Sequence, residues 1–375
     1  RSKVHPFYAI KIFEKGKHLD SKKYKIINLS LGEPMERLPK KIINAAVTHI
    51  KKNHIGYTES IGIIKLRKLV SKHYQKFYGI NVPFEKIAIT SGASASILLT
   101  LLASFDPGDI VAISRPGYPC YKNIIKALNL KPFFIDLKYE ENYKFTINNL
   151  KKLPVKTKGI IISSPSNPLG TIIEDTQLRQ ICDYCVKKNI TLISDEIYHG
   201  IKYDKNPHKS ALNFTSKAVI INSFSKYFLM TGWRLGWIVI DEKYIDTISR
   251  LAMNLYLSPP NLSQYTAIEL FNHYKYFNQI IDGYKINRKF IIENLKNSGL
   301  TDFITPQGAF YIYLNVSSIA RDSYKFCKKM VEDISVTAAP GIDFDEKKGN
   351  QFIRLSYATK LRDLEQALKR IKGWI

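Results

Sequence analysis

The stretch Ser223-Phe224-Ser225-Lys226-Tyr227-Phe228-Leu229-Met230-Thr231-Gly232-Trp233-Arg234-Leu235-Gly236 brings one amine, two serine hydroxyls, one guanidinium and two glycines close together. A lysine that condenses with an aldehyde must be partly deprotonated, and a nearby fixed cation plus partial burial both disfavour its ammonium form. Arg234 is a candidate for that cation. Its planar fork also suits a phosphate, with Ser223 and Ser225 donating hydroxyl hydrogens to other phosphate oxygens. Gly232 and Gly236 would let the backbone turn and approach closely. Alone, Ser-x-Ser-Lys in a lysine-rich chain is equally a solvated surface loop, so its neighbours decide.

Working outward, short β-branched runs alternate with amphipathic stretches. The segments 86–90, 110–114, 132–137, 159–163, 191–195, 218–223 and 236–240 read as strands, and 93–104, 119–128 and 174–188 as helices between them. That alternation predicts an α/β lobe with a largely parallel sheet covered on both faces. From 261 to about 298 one long helical pattern leads to a second lobe, where a strand after Pro306-Gln307-Gly308, a helix near 324–333, a strand at 352–356 and a terminal helix at 361–371 are expected. No Gly, Pro or Ser-rich linker separates the lobes and no internal repeat is visible.

The 375 residues, 45% of them hydrophobic, suffice for a sizeable core and exceed one small domain. No apolar run reaches the ~20 residues of a membrane helix, and Arg1-Ser2-Lys3-Val4-His5-Pro6 is unlike a signal peptide, so a cytoplasmic protein with no membrane partner is expected. The chain starts at Arg1 and not at Met, which leaves room for missing residues or a removed targeting segment. A net charge of +25 raises nucleic acid as a partner. The lysines, however, are dispersed as doublets such as Lys22-Lys23, Lys51-Lys52 and Lys187-Lys188, which favours a solvated basic surface over a nucleic-acid groove. Four scattered cysteines make no disulfide framework. Cys182 and Cys185 lie inside a helical pattern without a second pair, so they read as core-facing thiols and no metal site is expected.

Other motifs carry chemistry. Thr90-Ser91-Gly92-Ala93-Ser94 follows a strand and opens a helix, so the amides around Ala93 and Ser94 face a potential anion, although an ordinary helix start looks the same. Asp195 closes a strand and would hold a pyridine nitrogen protonated, or else cap a helix. Glu196 would point the other way. Arg354 stands on the apolar strand Ile353-Arg354-Leu355-Ser356, an expensive place unless it meets a carboxylate or an internal ion-pair partner.

The Lys226 stretch with Gly-Trp-Arg-Leu-Gly, the turn at Gly92, Ser164-Pro165-Ser166-Asn167-Pro168-Leu169-Gly170-Thr171, Ser194-Asp195-Glu196-Ile197-Tyr198 and Arg354-Leu355-Ser356 together resemble the class I/II pyridoxal-phosphate-dependent aminotransferases of fold type I. The resemblance runs from Leu31-Gly32-Glu33-Pro34 to the last of these motifs. It implies an aspartate-aminotransferase-like α/β fold: a large cofactor domain (42–270) with a mostly parallel seven-stranded sheet, and a small α+β domain (1–41 and 271–375) with an amino-terminal arm. It implies that Lys226 carries pyridoxal 5′-phosphate as a Schiff base and, once freed, shuttles the α-proton. Asp195 would steady the electron-rich ring, Asn167 and Tyr198 would share the pyridoxal 3′-oxygen, and Tyr118 would stack on the ring. Ala93, Ser94, Ser223, Ser225 and Arg234 would hold the phosphate, joined across a homodimer interface by Tyr57. Gly32, Asn167 and Arg354 would bind an amino acid or 2-oxo acid. Lyases, decarboxylases and synthases share these residues, and a ligand-sensing regulator is a third possibility, although no helix-turn-helix precedes Gly32. The substrate stays open. The family's aspartate-using bacterial branch often has a lysine two positions after the phosphate-loop glycine, where this chain has Ser94.

Overall fold

The computed structural model describes residues 4–19, 25–204 and 206–375. Arg1-Ser2-Lys3 and the Lys22-Lys23 doublet lie outside the described residues. Seven strands form the central sheet in the order Ile87–Thr90, Gly236–Val239, Val219–Ser223, Thr191–Asp195, Thr157–Ser163, Ile110–Arg115 and Lys131–Asp136. All neighbours from Val219–Ser223 to Lys131–Asp136 are parallel, and Gly236–Val239 runs antiparallel to both of its partners.

Both faces of this sheet are buried, and the period of two in a strand sorts the core into two halves. Ala112, Ile160, Ile162, Leu192 and Ile220 belong to one apolar cluster, while Val111, Ile113, Ile161, Ile193 and Ile221 belong to the other. The expected α/β architecture with a mostly parallel seven-stranded sheet is therefore borne out. Helices Ala93–Ser104, Pro119–Ala127 and Asp175–Lys188 follow the strands as anticipated. Cys182 and Cys185 are buried and unpaired.

The 261–298 pattern is not one helix. Asn261–Ile268 passes through a single 3-10 stretch, Glu269–Asn272, before Tyr274–Asn297 begins. No Gly or Pro marks the break; His273 leaves the helical region, and its amide bonds the Leu270 carbonyl. Leu270 and Phe277, on either side of the bend, are both fully buried.

Beyond it, Tyr311–Asn315, Phe352–Ser356 and Ala339–Pro340 make an antiparallel sheet, and Ile27–Asn28 pairs in parallel with Val336–Thr337. The amino-terminal helix Tyr8–His18 joins this part of the molecule. It turns Ala9, Ile12 and Gly16 inward, and an added Cβ at Gly16 would lie 3.1 Å from the Thr337 methyl.

Candidate active site

The register of the sheet assembles the site. Thr90 pairs with Gly236, so the turn after one strand and the loop before the other are forced together. A Cβ on Gly92, whose φ is +82°, would fall 2.5 Å from Nη2 of Arg234, and one on Gly236 would fall 2.9 Å from the Ala93 amide. Only glycine allows this approach. The guanidinium of Arg234 thus meets the start of helix Ala93–Ser104, which has no side-chain cap and whose first amides have no carbonyl one turn back. That junction gathers a cation and free amides, the combination that suits an anion.

Lys226 follows strand Val219–Ser223 and donates a 2.6 Å hydrogen bond to the Gly32 carbonyl. Its pKa falls from the ordinary 10.5 to about 8, first through burial and next through the charge of Arg354; Glu33 opposes the shift and Arg234 adds a smaller contribution. The cation chiefly felt by the lysine is therefore Arg354, a correction to the choice of Arg234, because Arg354 is itself buried while the Arg234 side chain reaches solvent. The serines also divide. Ser223 Oγ accepts from the Ser225 amide at 3.0 Å and lies 3.2 Å from the Leu235 carbonyl, so it is taken up by the turn rather than free for a ligand. The Ser225 hydroxyl, 2.9 Å from Ser223 Oγ and accepting from it, keeps its own hydrogen to donate.

Asp195 ends its strand opposite Ser163, is buried, and accepts from the Tyr121 hydroxyl and from the Ile197 amide at 3.1 Å. Burial raises its pKa to about 6 against the pull of those two donors and of Lys226. Glu196 turns away, as alternation requires, and accepts from Ser194 and Ser210 hydroxyls at 3.0 Å and from the Ala211 amide at 2.9 Å.

Arg354 is buried on the expected strand. Nη1 donates to Asn167 Oδ1 at 2.7 Å, Nη2 to the Ser30 carbonyl at 2.5 Å, and Nε has no partner. Its guanidinium carbon lies 4.2 Å from the Tyr311 ring centre and 4.8 Å from that of Phe344. Among the described residues no carboxylate comes within ion-pair distance, which removes the internal ion pair as its explanation. The Asn167 oxygen serves Arg354, and the Tyr198 and Tyr311 hydroxyls lie 2.6 Å apart.

A cavity of about 510 Å³ is lined by Gly32, Tyr118, Asn167, Tyr198, Lys226, Arg234 and Arg354 among the expected residues. Ala93, Ser94, Asp195, Ser223 and Ser225 lie outside its lining, and Tyr57 stands on the surface with 80% of its area exposed. Sequence reasoning missed Tyr121, which holds Asp195, and Tyr311, which touches Tyr198 and Arg354. It also missed Phe7, Ile10 and Phe13, which line the same cavity from the amino-terminal helix. The buried set Ala9, Ile12, Gly16, at helical spacing, was the available signal for that helix.

The aminotransferase class I and II family model matches residues 24–371. A valine–pyruvate aminotransferase from Mycobacterium tuberculosis is 37% identical over 380 residues, covering 100% of this chain and 97% of the relative. A (5-formylfuran-3-yl)methyl phosphate transaminase from Methanocaldococcus jannaschii is 36% identical, covering 98% and 96%. The crystal structure of an aminotransferase from Mycobacterium tuberculosis superposes with a TM-score of 0.96 at 37% identity, over 100% of this chain and 97% of that one.

Proposed function

The chain belongs to the class I and II aminotransferases, enzymes that depend on pyridoxal phosphate, and from that premise we propose that the cavity beside Lys226 is where the amino group of an L-amino acid passes to a 2-oxo acid. One observation carries the assignment of the site: an amine with a pKa lowered to about 8 opens on a cavity that also holds the guanidinium groups of Arg234 and Arg354.

The donor set fits the cofactor. Arg234, the Ser225 hydroxyl and the amides of Ala93 and Ser94 supply cation and donors for a phosphate. Asp195 would pair with the ring nitrogen, Tyr118 would offer a flat face, and Tyr198 and the Asn167 amide group would donate to the ring oxygen. Ser223 supports the turn. When bound, pyridoxal phosphate supplies an aldehyde for Lys226 and a ring that takes up the electron pair left at the substrate α-carbon. The chain's own residues then do the rest. Arg354 orients the substrate carboxylate with its unsatisfied Nε and its fork, beside the Gly32 backbone. Lys226 Nζ, chiefly a free amine above about pH 8 and in minor part so at neutral pH, takes the proton from the α-carbon and returns it elsewhere. Asp195, ionised above about pH 6, keeps the nitrogen side of the site negative.

Lys226→Ala tests the assignment. The variant is expected to lose turnover and the visible absorbance of lysine-bound cofactor while keeping a native circular-dichroism spectrum; retention of both activities ends this reading.

We further propose a homodimer. Tyr57 is 80% exposed, and Ile43, Val47 and Ile50 form an exposed stripe on helix Lys40–Lys52 at helical spacing. The Thr58 amide bonds Ser258 and Gly56 bonds Asn261, which ties that region to the exposed Leu255 and Leu257. Sedimentation at micromolar concentration tests it, with a monomer counting against a trans role for Tyr57. A large domain of 42–270 with a small one of 1–41 and 271–375 is supported by the pairing of Ile27–Asn28 with Val336–Thr337. Among the described residues no helix is long and apolar enough to cross a membrane. A cytoplasmic setting is supported by four unpaired cysteines.

A further inference from the structure

The amino-terminal helix has two occupied faces. Ala9, Ile12 and Gly16 pack inward, while Ile10, Phe13, Glu14 and Lys17, at i, i+3, i+4 and i+7, line the active-site cavity. Phe7, at the start of the helix, lines it too. The helix is fixed where it stands. Both oxygens of buried Asp343 accept from its first amides, Tyr8 at 2.9 Å and Ala9 at 2.8 Å. The next residue, Phe344, lies under the guanidinium of Arg354 and accepts from the Gly117 amide at 3.0 Å, beside Tyr118. One short segment therefore positions the helix, the carboxylate-binding arginine and the aromatic wall together.

What this face offers a substrate is apolar. Ile10 is 41% exposed although it faces the cavity, so an apolar group placed there would remove its surface from water. A distal carboxylate would need a fixed cation of its own. Of the cations that this chain itself gives the cavity, Lys226, Arg234 and Arg354 are engaged as described above. The remaining one, Lys17, lies 4.7 Å from the ring centre of Phe13 and shares its face with Glu14, whose charge opposes a second carboxylate.

We propose that Phe7, Ile10 and Phe13, with Leu31 and Tyr118, form the subsite for the substrate side chain, and that the amino donor is an L-amino acid with an apolar side chain rather than a dicarboxylate. The proposal rests on reading the cavity as the amino-acid site anchored by Arg354.

The test follows the cofactor absorbance of the purified holoenzyme in single half-reactions with L-leucine, L-valine, L-phenylalanine, L-alanine, L-aspartate and L-glutamate. Apolar donors larger than alanine are expected to exceed the acidic ones in kcat/KM by about tenfold or more. Phe13→Ala should lower the value for L-leucine by about tenfold and change that for L-alanine little, and Phe13→Leu should recover most of the loss. Ile10→Lys, at a position 41% exposed, should weaken L-leucine and improve L-glutamate. Acidic donors that react best, or a Phe13→Ala loss equal for leucine and alanine, would overturn the subsite while leaving the amino-acid site standing. Absence of conversion by every amino acid would overturn both.

Discussion

Lys226 donates to the Gly32 carbonyl at 2.6 Å, so the amino-terminal segment meets the reactive turn at the lysine itself. A second tie runs beside it, from the Thr231 hydroxyl to Glu33 at 3.0 Å. Gly32 has no room for a side chain: a Cβ there would lie 1.6 Å from the Tyr311 hydroxyl. Gly32→Ala must push Tyr311 away from Tyr198 and from beneath Arg354. The variant is expected to lose about 1–3 kcal/mol of stability and to raise KM for the amino acid, read by thermal melts and steady-state kinetics. An unchanged melt and KM would show that Tyr311 moves without consequence.

The lowered pKa of Lys226 sets a pH rule for cofactor capture. Below about pH 8 the folded protein holds this group as an ammonium, which has no lone pair for an aldehyde. Capture of pyridoxal phosphate by the apoprotein should therefore speed up about tenfold per pH unit on the acid side and level off above about pH 8. An ordinary exposed lysine would keep gaining up to about pH 10. Stopped-flow absorbance distinguishes the two, and a rate still rising steeply above pH 9 would contradict the buried position.

Tyr121 offers a sharper probe of Asp195. Burial drives the carboxyl up to about 6, and the Tyr121 hydroxyl is the first of the groups that hold it down. Removing that donor in Tyr121→Phe favours the protonated acid, so the acidic limb of the rate profile moves to higher pH while the plateau rate changes less. A profile identical to that of the parent would mean that Asp195 does not govern the limb.

The strands were legible because their alternation is local. In Thr191–Asp195, Leu192 and Ile193 feed opposite cores, and the polar Ser194 and Asp195 mark its end within five residues. The junction of Arg234 with the start of helix Ala93–Ser104 was legible only as two separate turns, since the pairing of Thr90 with Gly236 is a matter of sheet register between distant segments. Tyr311 looked like one more apolar strand residue, because nothing beside it in sequence announces that its ring supports Arg354. The break at His273 carries no Gly or Pro and so left no trace in the helical pattern. The amino-terminal helix is capped by Asp343, far along the chain, and a cap of that kind cannot be read locally. Tertiary partners supplied what local spacing lacked.

Arg354 separates charge from geometry. Its charge is the second cause of the lowered Lys226 pKa, whereas the substrate binding proposed for it would draw on a planar fork that also holds Asn167 and Ser30. Arg354→Lys keeps a cation but loses the fork, so kcat/KM for the amino acid should fall by about 2–3 kcal/mol, or roughly a hundredfold, mostly through KM. The pH midpoint for cofactor capture should stay near 8, because a cation still faces the lysine. Arg354→Gln removes the charge as well, and its midpoint should climb. If both variants moved the midpoint equally, the lysine would be responding to lost packing beside Tyr311 and not to the guanidinium charge.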